Sequence, residues 1–301
     1  MWLLDPVLMF LLAATLVPPT YRNPEPELGT VHWGRDLEHA LSESQRTGRP
    51  VLALFDEVPG CATCRGFGQD VLSHPLLSEV IESEFVPVFV ANNRPGRDAE
   101  TLARFGEPAW NNPVVRLLDA RGHDLLPRAD GLYSAHEIAT QLTAALRAAG
   151  RNVPGYLAIA EEESQLAHRR SAQFTMACFW EGEARLGALP GVLAVEAVHT
   201  GAGEGVRVEY DESRLTHDAL VRAARNQSCT LHEGAPAARA AGGTDHLHAL
   251  ARSPLARLTL TPMQAMRVNA ALANGTDALD WLSPRQRERA AAFGMGSTAR
   301  R

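Results

Sequence analysis

Apolar and polar positions in the first half of the chain change between the strand period and the helix period. The strand-like apolar runs are 51–55, 85–91 and 114–118, and the stretches with helical apolar spacing are 35–46, 71–83 and 98–105. A turn at 119–122 predicts that the third strand forms a hairpin with a strand that follows it. The capping box of Ser134 and Glu137 predicts a helix that ends at Gly150. This order predicts an α/β domain with a parallel strand pair followed by antiparallel elements.

The second half of the chain repeats neither this order nor its spacing. Strands are predicted at 174–177, 192–198 and 205–210, and helices at 178–189 and 216–225. A βαββα order of this kind predicts a small ferredoxin-like α/β sandwich. Capping boxes at Thr261 and Ser283 predict a helical tail, and the Ala- and Gly-rich stretch 234–243 is predicted to be a loop.

The first seventeen residues are nearly all apolar. The run 7–17 fits the hydrophobic region of a signal peptide, although no basic residue precedes it and it is short for a membrane span. A signal or anchor is favoured over a packed helix, and a misassigned start codon also explains the run. It predicts the cell envelope rather than the cytoplasm, with a membrane tether through the N-terminus.

The pattern predicts five parts. They are an apolar segment (1–24), a first α/β domain (25–152), a linker helix (153–170), a second α/β domain (171–232) and a helical extension (233–301).

The composition of the chain excludes several classes of protein. Apolar residues form 45% and charged residues 21% of the 301 positions, which is typical of a globular protein rather than a disordered or multi-span membrane protein. Basic residues number 29 and acidic residues 35. The chain therefore lacks the excess of positive charge that is typical of proteins that bind nucleic acid, and no nucleic acid partner is predicted. The four cysteines are too few for a disulfide scaffold. We find no flavin, nicotinamide or metal motif, so no cofactor is predicted.

Cys61 and Cys64 form a C-x-x-C between a predicted strand and a predicted helix. A helix N-terminus favours the thiolate of the first cysteine, and the second lies one turn later, where it can attack a mixed disulfide. Half a zinc site and two inert packed thiols are the alternatives. A zinc site needs two more ligands at suitable spacing, and no second C-x-x-C or H-x-x-x-H is present. Redox chemistry is therefore the favoured interpretation.

This region, over about residues 25–150, resembles the thioredoxin fold. The string Val58-Pro-Gly-Cys61-x-Thr63 also resembles the Cys form of the VPGUxT thioredoxin-like selenoproteins, with Cys61 at the selenocysteine position. The resemblance implies that Cys61 attacks and Cys64 resolves, and that Pro113 is the proline that presents backbone to the substrate disulfide. The family's buried carboxylate lies six residues before the first Cys, where this chain has Phe55.

Cys178, Phe179 and Trp180 resemble the G-C-F-W-G motif of peptide methionine sulfoxide reductase A. The similarity continues through 189–195, 201–211 and 213–220, and covers about 171–225. It implies that Cys178 attacks the sulfoxide sulfur, that Phe179 and Trp180 receive the substrate methyl group, and that Glu204 is the general acid. Cys229, 51 residues after Cys178, is the candidate that resolves the sulfenic acid.

Together the resemblances predict a thiol–disulfide oxidoreductase fused to a reductase of methionine sulfoxide, free or in peptides. An upstream thiol reductant is the predicted partner. Ala177 and Glu181 stand where the reductase motif has glycines. The alternative is therefore a disulfide reductase whose second domain is a non-catalytic binding or relay module. His246 and His248 are predicted to be a solvated pair rather than metal ligands, because side chains at i and i+2 diverge.

Overall fold

The computed structural model describes residues 23–110, 113–165, 167–201, 203–232 and 238–295. Within these ranges no helix is both long and apolar enough to cross a bilayer. The apolar run 7–17, with the signal or anchor and the envelope location that it predicts, lies outside the described residues.

The first sheet has three strands in the order β2-β1-β3. They are β1 (Val51–Asp56), β2 (Val86–Ala91) and β3 (Val114–Leu118). Strand β1 pairs with β2 in parallel and with β3 in antiparallel orientation, as the hydrophobic pattern predicts. Every residue of β1 is buried, because this central strand is covered on both faces. The strand predicted after β3 is reduced to a single bridge between Leu118 and Asp124.

Helices flank this sheet. A short 3-10 helix at Pro26–Leu28, here called the N-terminal 3-10 turn, precedes α1 (Leu37–Thr47), α2 (Ala62–Asp70), α3 (Pro75–Glu84), α4 (Arg97–Phe105) and α5 (Ala135–Ala148). The predicted capping box of Ser134 and Glu137 opens α5. Helix α3 begins four residues later than the apolar spacing predicts. The His74 ring caps it and Pro75 occupies its first turn, a position that tolerates the missing N–H.

The second sheet follows α6 (Gly155–Glu163). It consists of β4 (Arg169–Thr175), β5 (Val192–Thr200), β6 (Gly203–Asp211), β7 (Thr230–His232) and β8 (Arg239–Ala240), with α7 (Phe179–Leu186) and α8 (His217–Arg225) between strands. The strand order is β7-β4-β6-β5-β8, and every pairing is antiparallel. Its βαββαβ core confirms the predicted ferredoxin-like α/β sandwich. Strand β8 falls in the stretch predicted to be a loop.

The tail contains α9 (His248–Ala251), α10 (Pro262–Asn274) and α11 (Pro284–Ala292), which confirms the helical extension. Both predicted capping boxes are present, and Gly275 ends α10 in a left-handed conformation. The buried Arg267 of α10 donates to the carbonyl oxygens of Gly187, Leu189 and Val192, and pairs with Glu162 of α6. The tail is thereby fixed against the second sheet.

One apolar core runs through the joint between the two sheets. A single cluster of buried side chains includes Leu54 of β1, Leu157 of α6, Phe174 of β4 and Met266 of α10. Helix α6, expected from its charges to be a polar helix or linker, buries Tyr156, Leu157, Ile159 and Ala160. It is therefore a packed element that joins the two sheets.

Candidate functional site

The C-x-x-C lies where β1 leads into α2. Cys61 is the N-cap of α2 and is exposed, while Cys64 is buried within the first turn of the helix. The two Sγ atoms are 3.3 Å apart, and no disulfide joins them. At this separation, the Cys64 sulfur can reach a mixed disulfide formed at Cys61.

The environment makes the two thiols unequal. Hydrogen bonding to the Cys61 sulfur, chiefly from the Cys64 N–H and then from the Cys64 thiol, lowers the pKa of Cys61. Burial raises the pKa of Cys64 to about 12. Cys61 is therefore the accessible nucleophile, and Cys64 needs a base before it can react.

Asp56, the last residue of β1, supplies a carboxyl beside Cys64. It is fully buried, and burial raises its pKa to about 7, while the Cys64 thiol favours the ionised form. Oδ1 accepts the Glu57 N–H at 2.8 Å, whereas Oδ2 has no partner in full hydrogen-bond geometry among the described residues. A carboxyl that titrates near neutral pH can take the proton of Cys64.

The position that the thioredoxin resemblance implies for a buried carboxylate, six residues before Cys61, does not coincide with Asp56. The residue six positions before Cys61 is Phe55, whose ring packs edge-on against Phe105 instead. The signal that could have identified Asp56 is a single acidic residue at the end of an otherwise apolar central strand.

Pro113 lies at the same end of the sheet. Val114, the first residue of β3, pairs with Phe55, so the antiparallel register places Pro113 opposite Asp56. Trp110, three residues earlier, is the most exposed large apolar side chain among the described residues, at 82%. The role of Pro113 in presenting backbone to a substrate stays a prediction.

Cys178 is the N-cap of α7 and is partly buried. The Glu204 carboxylate, on β6, accepts the N–H of Phe179 at 2.9 Å, and its backbone oxygen accepts the Met176 N–H at 3.0 Å. The structure therefore brings Cys178 and Glu204 together at one helix N-terminus.

Cys229 lies at the same end of the second sheet. Thr175 pairs with Thr230, so the register places Cys229 opposite Met176, two residues before Cys178. Its thiol is buried and outside any disulfide, and burial, followed by the charge of Glu181 on α7, raises the pKa of Cys229. The register therefore places a second cysteine at the end of β4 from which the chain enters α7.

The two aromatic residues after Cys178 are placed differently from each other. Phe179 is buried and meets the His199 ring edge-on, with the centroids 5.4 Å apart. Trp180 is 40% exposed, and the His248 ring stacks on it at 3.8 Å between centroids. The tail thus covers one face of the ring that was predicted to receive a substrate methyl group.

The same tail segment binds the buried Glu183 of α7. Its carboxylate accepts His246 Nδ1 at 2.7 Å and the Leu247 N–H at 2.8 Å. His246 is exposed, as the prediction of a solvated pair requires, but it also forms an ion pair with Glu183. The prediction is wrong for His248, which is half-buried and stacked on Trp180. The segment 246–248 is here called the tail latch. No group of three metal-ligating side chains occurs within the described ranges.

A comparison with protein families agrees with the fold of the first sheet. Residues 32–120 match the thioredoxin-like family Thioredoxin_7. A solved structure titled DsbH oxidoreductase is similar at 17% identity, covers 42% of this chain and 92% of its own, and has a TM-score of 0.34. No curated protein matches the chain. The first domain is therefore thioredoxin-like, whereas the resemblances to the selenoprotein type and to the sulfoxide reductase stay predictions.

Proposed function

We propose that the protein is a thiol–disulfide oxidoreductase that uses Cys61 as nucleophile and Cys64 as resolving thiol. The observation that carries this proposal is the exposed Cys61 sulfur, of lowered pKa, 3.3 Å from the buried Cys64 sulfur. The thioredoxin-like match over 32–120 includes both residues.

The reaction needs two displacements. The Cys61 thiolate attacks a substrate disulfide, forms a mixed disulfide and releases the first substrate sulfur as a thiolate. Asp56 then takes the Cys64 proton, and the Cys64 sulfur displaces the second substrate thiolate from Cys61. The substrate disulfide gains two electrons, which the Cys61–Cys64 dithiol loses. An external thiol reductant restores the dithiol.

Trapping tests this assignment. Cys64→Ser should accumulate a mixed disulfide at Cys61 with a disulfide-bonded peptide, because the second displacement is blocked. Cys61→Ser should form no such adduct, and Cys229→Ser serves as a matched control that resolves normally. An adduct that forms only through Cys64 would show that the order of the two thiols is reversed.

For the second domain we propose reduction of methionine sulfoxide at Cys178. The observation that favours it is the Glu204 carboxyl bound to the N–H beside Cys178. Cys178 attacks the sulfoxide sulfur, Glu204 donates a proton to the sulfoxide oxygen, and methionine leaves as Cys178 becomes a sulfenic acid. The Cys229 sulfur then displaces water and forms a disulfide with Cys178.

The Cys61–Cys64 dithiol of the same chain is the proposed donor of electrons to the Cys178–Cys229 disulfide. The net reaction then consumes two electrons from the external reductant for each sulfoxide reduced. The stack of His248 on Trp180 requires the tail latch to move before a substrate methyl group reaches that face of the ring.

Single turnover with peptide methionine sulfoxide and dithiothreitol separates this proposal from a binding or relay module. Cys178→Ser should abolish methionine formation. Glu204→Gln should slow the chemical step roughly 10²–10⁴-fold, the usual contribution of a positioned general acid. Cys229→Ser should spare the first turnover and slow later ones. A relay module predicts no methionine from the parent protein and no effect of Glu204 on thiol exchange.

A further inference from the structure

Glu27 is a buried carboxyl that neither proposed reaction uses. It lies in the N-terminal 3-10 turn, upstream of the matched range 32–120, and is only 2% exposed. Its Oε1 accepts the Gly60 N–H at 2.8 Å, and no ion pair joins it to a cationic side chain within the described residues. A buried carboxylate without a cation is costly, so its position calls for a role.

The turn that carries Glu27 is held tightly against the redox helix. A Cβ at Gly68, in the second turn of α2, would overlap the Pro26 carbonyl oxygen. Trp33 Nε1 and Asn23 Nδ2 both donate to the Leu28 carbonyl oxygen, at 2.9 and 3.1 Å. Close backbone contact therefore docks the segment on α2, while hydrogen bonds within the segment fix its own conformation.

Gly60, the partner of Glu27, lies directly against the resolving cysteine. A Cβ at Gly60 would be 3.0 Å from the Cys64 sulfur and closer still to the Glu57 carbonyl oxygen. The Glu27 carboxylate therefore holds the peptide before Cys61 against the Cys64 side chain. It also lies near enough to Asp56 that its charge opposes ionisation there.

Within the described ranges, the ionisable groups that act on Asp56 come from three elements. Glu27 comes from the N-terminal 3-10 turn, Glu57 from the loop after β1, and the ionisable Cys64 from α2. The Arg65 guanidinium of α2 donates to the Gly60 carbonyl oxygen at 3.1 Å. Strand β2 is followed by the neutral Asn92, whose N–H donates to the Asp56 carbonyl oxygen. Of the two glutamates that act on Asp56, Glu27 is buried and Glu57 is only half-buried.

We propose that Glu27 is a positioning residue of the thiol–disulfide site. It fixes the Gly60 peptide against Cys64 and places a second negative charge beside Asp56, which strengthens Asp56 as the base that removes the Cys64 proton. The inference rests on the thiol–disulfide function proposed for the first domain. It concerns only the second displacement, because Cys61 has already reacted when Cys64 loses its proton.

Dithionitrobenzoate separates the two displacements. In the full chain carrying Cys178→Ser and Cys229→Ser, attack by Cys61 releases one thionitrobenzoate, and attack by Cys64 on the resulting mixed disulfide releases a second. The protein ends as the Cys61–Cys64 disulfide. Stopped-flow absorbance over pH 5–9 gives the rate and the pH midpoint of each release.

Glu27→Gln removes the charge but keeps an oxygen that can accept the Gly60 N–H. We expect an unchanged first release. The second release should be slower, with its pH midpoint lower by about 0.5 unit, a factor of about three in the ionisation constant of the base. Glu27→Ala should slow the second release further, because the Gly60 peptide also loses its acceptor. If Glu27→Ala fails to fold, Glu27→Gln alone decides.

Glu57→Gln is the matched control, since Glu57 also raises the pKa of Asp56 but is only half-buried, where water screens its charge. Its shift should be less than half that of Glu27→Gln. An unmoved midpoint in Glu27→Gln, or equal shifts in both variants, overturns the proposal. A parent protein that never gives the second release overturns the thiol–disulfide function itself.

Discussion

At the scale of single residues, the two redox thiols differ because of where the chain buries them. Cys61 ends a loop at a helix N-terminus, whereas Cys64 points into the core beside the Asp56 carboxyl. The protein keeps this carboxyl buried at an energetic cost, because an ionised group in the core has lost its hydration. That cost is measurable as a dependence of stability on pH.

The substitution Asp56→Asn should reveal the energetic cost of burying the Asp56 carboxyl. Burial raises the pKa of Asp56 from 3.8 to about 7, so between these pH values the reduced protein takes up a proton on folding. The free energy of unfolding therefore falls as pH rises through this window, by up to about 4 kcal/mol. Urea unfolding should show the reduced variant more stable than the parent at pH 8 and similar to it at pH 4. A variant that is less stable at both pH values would contradict this account.

At the scale of elements, the tail latch connects α7 to the C-terminal extension through contacts that local sequence patterns do not show. The spacing of His246 and His248 predicts divergence, and the two rings do diverge: one reaches Glu183 and the other Trp180. Their partners lie more than sixty positions earlier in the chain. Such partners become visible only when the fold brings α7 and the tail together.

His248→Ala should expose the covered face of Trp180. We expect stronger acrylamide quenching of tryptophan fluorescence than in the parent, and no such difference when both proteins carry Trp180→Phe. Quenching that is equal in parent and variant would show that the stack does not shield the ring.

The latch should also respond to pH. The Glu183 carboxylate, which is its hydrogen-bond partner, and then the charge of Glu196 raise the pKa of His246. A raised histidine pKa stabilises docking below 6.5, and this contribution is lost as pH rises through the folded value. Quenching of Trp180 should therefore increase with pH in the parent, and His246→Asn should remove that dependence.

At the scale of the whole molecule, α6 and Arg267 pack the two sheets and the tail together. Arg267 is 5% exposed. Burial lowers the pKa of Arg267, and the negative charge of Glu162 partly offsets this effect. Arg267→Ala should lower the free energy of unfolding by about 3–5 kcal/mol, because it leaves buried acceptors and Glu162 without a partner. Arg285→Ala, which removes an exposed ion pair with Glu82, should cost less than about 1 kcal/mol. Urea unfolding of both variants measures the difference.

The sequence was sufficient where structure depends on neighbouring residues. The strand at 114–118, the capping boxes at Ser134, Thr261 and Ser283, and the βαββα order all follow from local period and local hydrogen bonds. It was insufficient for Asp56, Glu27 and the tail latch. Their roles depend on burial and on partners brought together by tertiary packing, which periodicity along the chain does not encode.

The shared core limits the exchange of either half of this chain between proteins. A domain with its own closed core can be exchanged between proteins as a unit, but here one apolar cluster passes from Leu54 through Leu157 to Phe174. Joining the first sheet to a foreign partner would leave the α6 surface of each half open to water. We therefore expect a core substitution on one side of α6 to require a compensating substitution on the other side.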